Sequence, residues 1–167
     1  MGSEMCIRDS YNIVLNLLVH THPIFCKVTL LDPFKNSFLK FKKHVSICQG
    51  KDEITHLLEK LDKDAKARYV MLGDYENIQE YNKESGGIMP FEIIVFDEFA
   101  VYDDKEGHEL IAKLVATCRA VGIYFVFATQ RSSVDVINGV IRANFDMRVC
   151  LRAVSYTHLT LPTIYSV

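Results

Sequence analysis

The sequence is most informative first for what it lacks. Its 167 residues include five cysteines, at positions 6, 26, 48, 118 and 150, with no C-x-x-C pair among them. An odd number of scattered thiols excludes a paired disulfide framework and offers no zinc spacing, which leaves reduced thiols used as small core residues. No apolar stretch approaches the ~20 residues of a membrane span, and the N-terminus lacks the apolar core of a signal peptide, so a soluble, cytoplasmic chain without membrane contact is expected. The net charge is only -2. There is therefore no global attraction to nucleic acid or anionic lipid, and any such contact must be local. No G-x-x-x-x-G-K-[ST] run exists either: the one Gly-Lys pair, Gly50-Lys51, is followed by Asp52. The backbone N–H groups of that loop are what cradle phosphates, so the chain carries no such cradle.

What is present suffices for one domain. Apolar residues make up 49% of the chain, which excludes a disordered polymer and supports a sizeable core. The organising stretch is Phe91-Glu92-Ile93-Ile94-Val95-Phe96-Asp97-Glu98-Phe99-Ala100. Four consecutive apolar residues, opened by Pro90 and closed by two carboxylates, predict a strand buried on both faces of a parallel sheet. Ligands of open α/β sheets bind beyond the carboxyl ends of such strands. Asp97 and Glu98 would stand there in the Walker B arrangement, the first carboxylate holding magnesium through water and the second orienting or deprotonating an attacking water. The same pattern also describes a strand that runs into an acidic turn.

Taken in order, residues 1–10 and 155–167 carry no periodicity and look like translated sequencing-adapter read-through, so both are set aside as tails. Residues 13–19 are apolar on almost every side and predict a short buried helix ended by Pro23. His20 and His22 form an H-x-H pair without a third ligand nearby, which fits loop histidines better than a metal site. Lys27-Val28-Thr29-Leu30-Leu31 predicts a strand leaving through Asp32-Pro33. Lys35, Lys40, Lys42 and Lys43 then alternate with Phe34, Phe38 and Phe41, which can bind nucleic acid but more often marks a solvated face over an apolar one. From Asp52, the spacing of Ile54, Leu57, Leu58, Leu61 and Ala65 predicts an amphipathic helix stopped at Gly73. Residues 74–87 read as a polar connection and 102–107 as an acidic loop. Leu110, Ile111, Leu114, Val115, Cys118 and Val121 predict a second helix with Gly122 at its C′ position. A strand is expected over 123–128, a short helix over 134–143 and a half-buried strand in which Met147, Val149 and Leu151 alternate with Arg148, Cys150 and Arg152. Alternating strands and helices indicate a parallel sheet with right-handed crossovers.

The second apolar strand ends in Thr129-Gln130-Arg131. Beside the central strand, an amide and a guanidinium would join Asp97 and Glu98 at one sheet edge, where Gln130 can sense a γ-phosphate or hold the lytic water. A plain polar turn is the alternative.

Together these blocks resemble the motor domain of the FtsK/SpoIIIE family of DNA translocases. The matching runs are Pro90-Phe91 through Asp97-Glu98-Phe99-Ala100, then Glu109-Leu110-Ile111-Ala112-Lys113-Leu114 and Arg119-Ala120-Val121-Gly122-Ile123. Ala128-Thr129-Gln130-Arg131, Val134-Asp135-Val136-Ile137, Ile141-Arg142-Ala143-Asn144 and Arg148 follow in order. Upstream, Asp32-Pro33-Phe34-Lys35, Arg68-Tyr69 and Asn77-Ile78-Gln79-Glu80-Tyr81-Asn82 also sit where that family has similar runs. The resemblance spans residues 11–154 and implies a truncated three-layer RecA-like P-loop NTPase core with a mostly parallel sheet, using ATP and Mg2+. It implies a parent that assembles as a homo-oligomeric, usually hexameric, ring and pumps double-stranded DNA. That parent would serve chromosome segregation, conjugative transfer or sporulation, with any inner-membrane anchor lying outside this chain.

Carried onto this sequence, the resemblance gives Glu98, Gln130 and Arg148 catalytic roles, and Asp97, Thr129 and Arg131 nucleotide- and metal-side roles. Arg148 is the candidate for the cation that completes a neighbouring site, ahead of Arg142 and Arg152. Two departures stand out. The family's phosphate loop would fall where residues 1–10 lie, and its later polar motif and final strands have no counterpart after Val154. The chain would thus be the Walker B half of a motor, inactive alone. A type VII secretion-type export ATPase module and a non-hydrolysing ring subunit are the competing readings, and the intact Asp97 and Glu98 weigh against the latter.

Overall fold

The structure, a computed structural model, describes residues 2–33, 38–129, 139–145 and 147, with the backbone alone for 2–9. Four strands, β1 (Cys26–Asp32), β2 (Ser46–Gln49), β3 (Phe91–Phe96) and β4 (Ile123–Phe127), form one sheet in the order β2-β1-β3-β4. Every pairing is parallel. The predicted α/β fold with a parallel sheet is therefore the observed one.

Consecutive residues of the central strands face different cores, which is why those strands read as unbroken apolar runs. On one face Val28, Leu30 and Val95 pack with Val14 of α1 (Gly2–His20) and with Phe38 and Phe41. On the other, Leu31, Ile94 and Phe96 pack with α2 (Lys51–Leu72) and α4 (Lys105–Thr117) through Ile54, Leu58, Leu61, Ile111 and Leu114. The result is three layers. Each fully buried Leu, Ile or Phe contributes about 1.5–3 kcal/mol of apolar transfer, so the two sheet faces supply most of the driving force.

The buried stripe of α2 is Ile54, Leu58, Leu61 and Ala65, as its spacing predicts, and the helix ends at Gly73 with φ 58°. Arg68 fastens this helix to the amino edge of the sheet. Its guanidinium donates to the carbonyls of Pro90 (2.8 Å) and Val121 (3.0 Å) and pairs with Glu92 at 3.1 Å. The expected solvated face over an apolar one also holds: Phe38 and Phe41 are buried around a short 3₁₀ turn, Leu39–Phe41, while Lys40, Lys42 and Lys43 are exposed.

Several elements differ from expectation. The helix expected over 13–19 runs from Gly2 to His20, and it is buried on one side only: Val14 is inaccessible, whereas Ile13, Leu15 and Val19 are exposed. An all-apolar stretch predicts an all-round buried helix, but α1 lies on the outside of a sheet and has only one face to bury. A helix α3 (Ile78–Glu84) interrupts the polar connection. Its Asn77 caps it by accepting from the Glu80 N–H at 3.0 Å, and Glu80 in turn accepts from the Glu76 N–H at 2.7 Å. Helix α4 starts inside the expected acidic loop and stops at Thr117, so Val121 reaches the core from the following turn. Gly122 (φ 78°) therefore serves the entry to β4 and not a helix C′ position. A Cβ there would meet Ile78 Cδ1 at 2.3 Å. Helix α5 (Gly139–Ala143) covers the end of the helix expected over 134–143. The rest of that helix, and the strand expected through Arg152 apart from the exposed Met147, lie outside the described residues.

Candidate functional site

Two strands deliver carboxylates to the same place. The ladder between β1 and β3 ends with Leu31 opposite Phe96 and is extended by the Asp97 N–H donating to Leu31 O at 3.0 Å. Asp32 and Asp97 therefore form the next rung at the carboxyl edge, and both are almost fully buried. Charges in that setting need polar partners. Ser10 Oγ donates to Asp97 Oδ1 at 3.3 Å and Gln49 Nε2 to Asp32 Oδ2 at 3.4 Å. The phenol of Tyr11 lies in the field of both: its pKa is raised by burial first and then by the negative charges of Asp32 and Asp97.

Glu98 leaves the strand through a left-handed backbone conformation, φ 47° and ψ 55°, and is the sole non-glycine with positive φ among the described residues. Such a residue costs roughly 1–3 kcal/mol and persists only where its surroundings fix it. The surroundings are aromatic and well tied. Phe99, fully buried, donates its N–H to Ala128 O (3.1 Å) and stacks on Phe127 at 4.6 Å and His108 at 4.9 Å. Tyr102 packs 5.3 Å from Phe96, and its hydroxyl donates to Asp104, which also accepts from Thr55 (2.7 Å) and pairs with Lys51 (3.4 Å). Burial, the largest cause, pushes the Tyr102 phenol up to about 12. The turn that carries Glu98 is thus bolted to β4 on one side and to α2 on the other.

Of the residues singled out from sequence, the fold brings Asp97, Glu98 and Thr129 together: Thr129 Oγ1 donates to Glu98 Oε1 at 3.4 Å. Gln130, Arg131, Arg148 and Arg152 lie outside the described residues, and Arg142 sits in the last turn of α5. Sequence reasoning missed Asp32, Tyr11 and Ser10 as members of this edge. Asp32 closes an apolar strand just as Asp97 does, so the signal was available; Ser10 fell in the stretch set aside as a tail. Surface concavities of 410 Å³ (lined by His20, Phe25, Phe91 and Tyr124) and 650 Å³ (lined by Tyr69, Asn77 and Arg119) open at the opposite, amino edge.

Buried carboxylate and hydroxyl oxygens are the donor set a hard divalent cation prefers. Among the described residues no three His, Cys, Asp or Glu side chains form a cage. A triphosphate fits this chain less well, because the sequence holds no glycine-rich loop and lysine to cradle it.

Comparison with known proteins then places the chain. It is 32% identical over 173 residues to the DNA translocase FtsK of Treponema pallidum, covering 89% of this chain and 20% of that protein. To the DNA translocase FtsK of Borreliella burgdorferi it is 31% identical over 179 residues, covering 92% and 21%. The chain is a homologue of the FtsK DNA translocases. It spans about a fifth of the length of those relatives. No protein-family model matches it. The solved structure of the pCW3 conjugation coupling protein TcpA, a monomer with ATPγS, matches with a TM-score of 0.71 at 25% identity, over 86% of this chain and 44% of that one. The cytoplasmic domain of EssC matches with the same TM-score at 17% identity, over 86% and 28%, which shows a shared fold alone. No helix among the described residues is long and apolar enough to cross a membrane.

Proposed function

We propose that this chain is the magnesium- and water-handling half of an ATP-driven motor that moves double-stranded DNA. The observation that carries the reading is the juxtaposition of Asp97, Glu98 and Thr129 at the carboxyl edge of a parallel sheet, in a homologue of FtsK translocases. Asp97, buried and already accepting a hydroxyl proton from Ser10, holds Mg2+ through water; the ion, when bound, neutralises charge on the nucleotide phosphates. Glu98 orients and deprotonates the attacking water. Thr129 fixes the Glu98 carboxylate, and Gln130 and Arg131, which follow it in sequence, act on the γ-phosphate. Arg148 supplies the cation that completes the neighbouring subunit's site in a hexameric ring. The parent works in the bacterial cytoplasm, and its ATP-cradling loop is contributed by sequence this chain does not carry. FtsK homology at 32% identity favours a DNA motor over an export ATPase, whose likeness rests on fold alone.

The test is made in the full-length parent. Duplex DNA should stimulate its magnesium-dependent phosphate release, and Glu98→Gln should keep ATP binding while abolishing turnover. Turnover indifferent both to DNA and to Glu98→Gln would overturn the reading.

A further inference from the structure

The net charge of -2 conceals a strong separation. Between residues 11 and 50 there are five lysines (27, 35, 40, 42 and 43) and a single acid, the buried Asp32; between residues 51 and 109 sixteen carboxylates face seven cations. Seven of those acids sit on α2 and α4: Asp52, Glu53, Glu59, Asp62, Asp64, Glu106 and Glu109. The lysines concentrate in the 3₁₀ turn and its exit on the α1 layer.

That turn is a rigid base. Phe38 and Phe41 are buried among Val14, Val28 and Leu30, and the backbone is closed by Phe41 N–H to Phe38 O (2.9 Å), His44 N–H to Phe41 O (2.8 Å) and Val45 N–H to Phe41 O (3.1 Å). Lys40, Lys42, Lys43 and His44 project from it into solvent. Among the described residues no carboxylate lies within ion-pair distance of the three lysines, and no other part of the described chain places three such lysines within four positions on one buried turn. Three unneutralised ammonium groups held on one pinned turn suit a polyanion with regularly spaced charges.

We propose that this corner, Lys40, Lys42, Lys43 and His44, grips the phosphate backbone of double-stranded DNA. The proposal rests on the reading of the parent as a DNA motor and assigns a contact surface to it. A membrane surface would also need an apolar face to insert, and Leu39 is the one exposed apolar side chain in the turn. The corner also stands close to the carboxylates. The Tyr11 ring lies 4.9 Å from Phe41, and its phenol is in the field of Asp32 and Asp97, so one side chain separates the grip from the site.

The experiment uses the 167-residue chain, a fluorescent 20-base-pair duplex of arbitrary sequence and anisotropy titrations across a NaCl series. Each phosphate contact contributes about 0.9 to the slope of log K against log salt. The Lys40→Gln/Lys42→Gln/Lys43→Gln variant should bind at least tenfold more weakly at low salt and lose about 3 from that slope. A control variant with the same charge change in the acidic stretch 51–109, Lys60→Gln/Lys63→Gln/Lys83→Gln, should match wild type, and unchanged thermal melting in both variants establishes that they fold. Wild-type binding that the corner variant leaves intact overturns the corner while keeping the DNA reading. Failure of wild type to bind any duplex at the lowest salt overturns both for this chain. Binding to anionic phosphatidylserine vesicles but not to duplex would reassign the corner to a membrane.

Discussion

Thr129 reaches the carboxylate of Glu98 across 31 positions of sequence, its Oγ1 lying 3.4 Å from Glu98 Oε1. The contact follows directly from the pairing of β3 with β4, which sets Phe96 opposite Phe127 and lets the two strand exits run on side by side. Ala128 donates its N–H to Phe96 O at 2.9 Å and accepts from the Phe99 N–H at 3.1 Å, so the backbones remain bonded past the end of the ladder. The hydroxyl thereby steers one carboxylate oxygen of Glu98.

Glu98 occupies a conformation that glycine adopts at no steric cost. Glu98→Gly is therefore expected to unfold at a free energy equal to wild type or up to about 1 kcal/mol higher, even though it deletes a charged side chain at a strand end. Urea denaturation measures this. A loss beyond about 1 kcal/mol would mean that the Glu98 side chain, and not the surrounding aromatic contacts, holds the turn together.

Arg68 is expected to be the costliest surface-layer residue to truncate. Its side chain and that of Glu92 are 11% and 15% exposed. Removing one partner of a mostly buried, multiply bonded pair typically costs about 3–5 kcal/mol, because the other charge and two carbonyls lose their donor. Arg68→Ala should lower the urea midpoint accordingly. Arg68→Met with Glu92→Met, which removes both charges but keeps volume, should recover much of the loss. Equal losses in the single and double variants would show that packing, not the ion pair, dominates there.

The parts of this fold legible in the sequence were those with a long, one-sided or two-sided apolar signal. β1, β3 and β4 announced themselves as runs such as Ile93 to Phe96, and α2 as the Ile54, Leu58, Leu61 stripe. β2 is four residues long and none of them is fully buried, so its pairing to β1 is decided by tertiary context that no local pattern carries. α3 buries only Ile78, and its sole announcement was the Asn77–Glu80 cap. The site was half legible. Asp97, Glu98 and Thr129 follow strands whose pairing could be guessed, whereas Tyr11 and Ser10 arrive from a helix whose depth depends on how α1 crosses the sheet. Asp32 reads as the start of a turn because Pro33 follows it, although the strand it closes is as apolar as β3.

Asp104 should govern part of the acid stability. Its carboxyl is held below its ordinary value of 3.8, first by the Thr55 hydroxyl and further by Tyr102 and Lys51, against an opposing effect of burial. A depressed folded-state pKa stabilises the protein above the unfolded value, and that contribution disappears as pH falls through the lower folded one. The window thus opens near 3.8 and extends downward. Asp104→Asn should be less stable than wild type at neutral pH and lose less on acidification through that window. Some acid dependence should remain, because Asp62 is depressed in the same direction by Lys113 and Lys66. An unchanged acid slope in Asp104→Asn, followed by urea midpoint against pH, would count against this assignment.

The last expectation concerns turnover by the chain as it stands. Triphosphate binding in this fold depends on backbone N–H groups at a helix N-terminus and a lysine that reaches the β- and γ-phosphates. Here Asp97 and Glu98, with Asp32 beside them, present negative charge to a ligand that is itself tetra-anionic, so attraction requires an intervening cation. Water-mediated contact through one buried carboxylate is a weak hold compared with a glycine-rich cradle. The purified 167-residue chain is therefore expected to show no magnesium-dependent phosphate release above a Glu98→Gln control, and no saturable binding of a fluorescent ATP analogue at micromolar concentration. Release that is robust in wild type and absent in the control would mean that Asp97, Glu98 and Thr129 act without the loop, and the division of labour proposed for this motor would have to be redrawn.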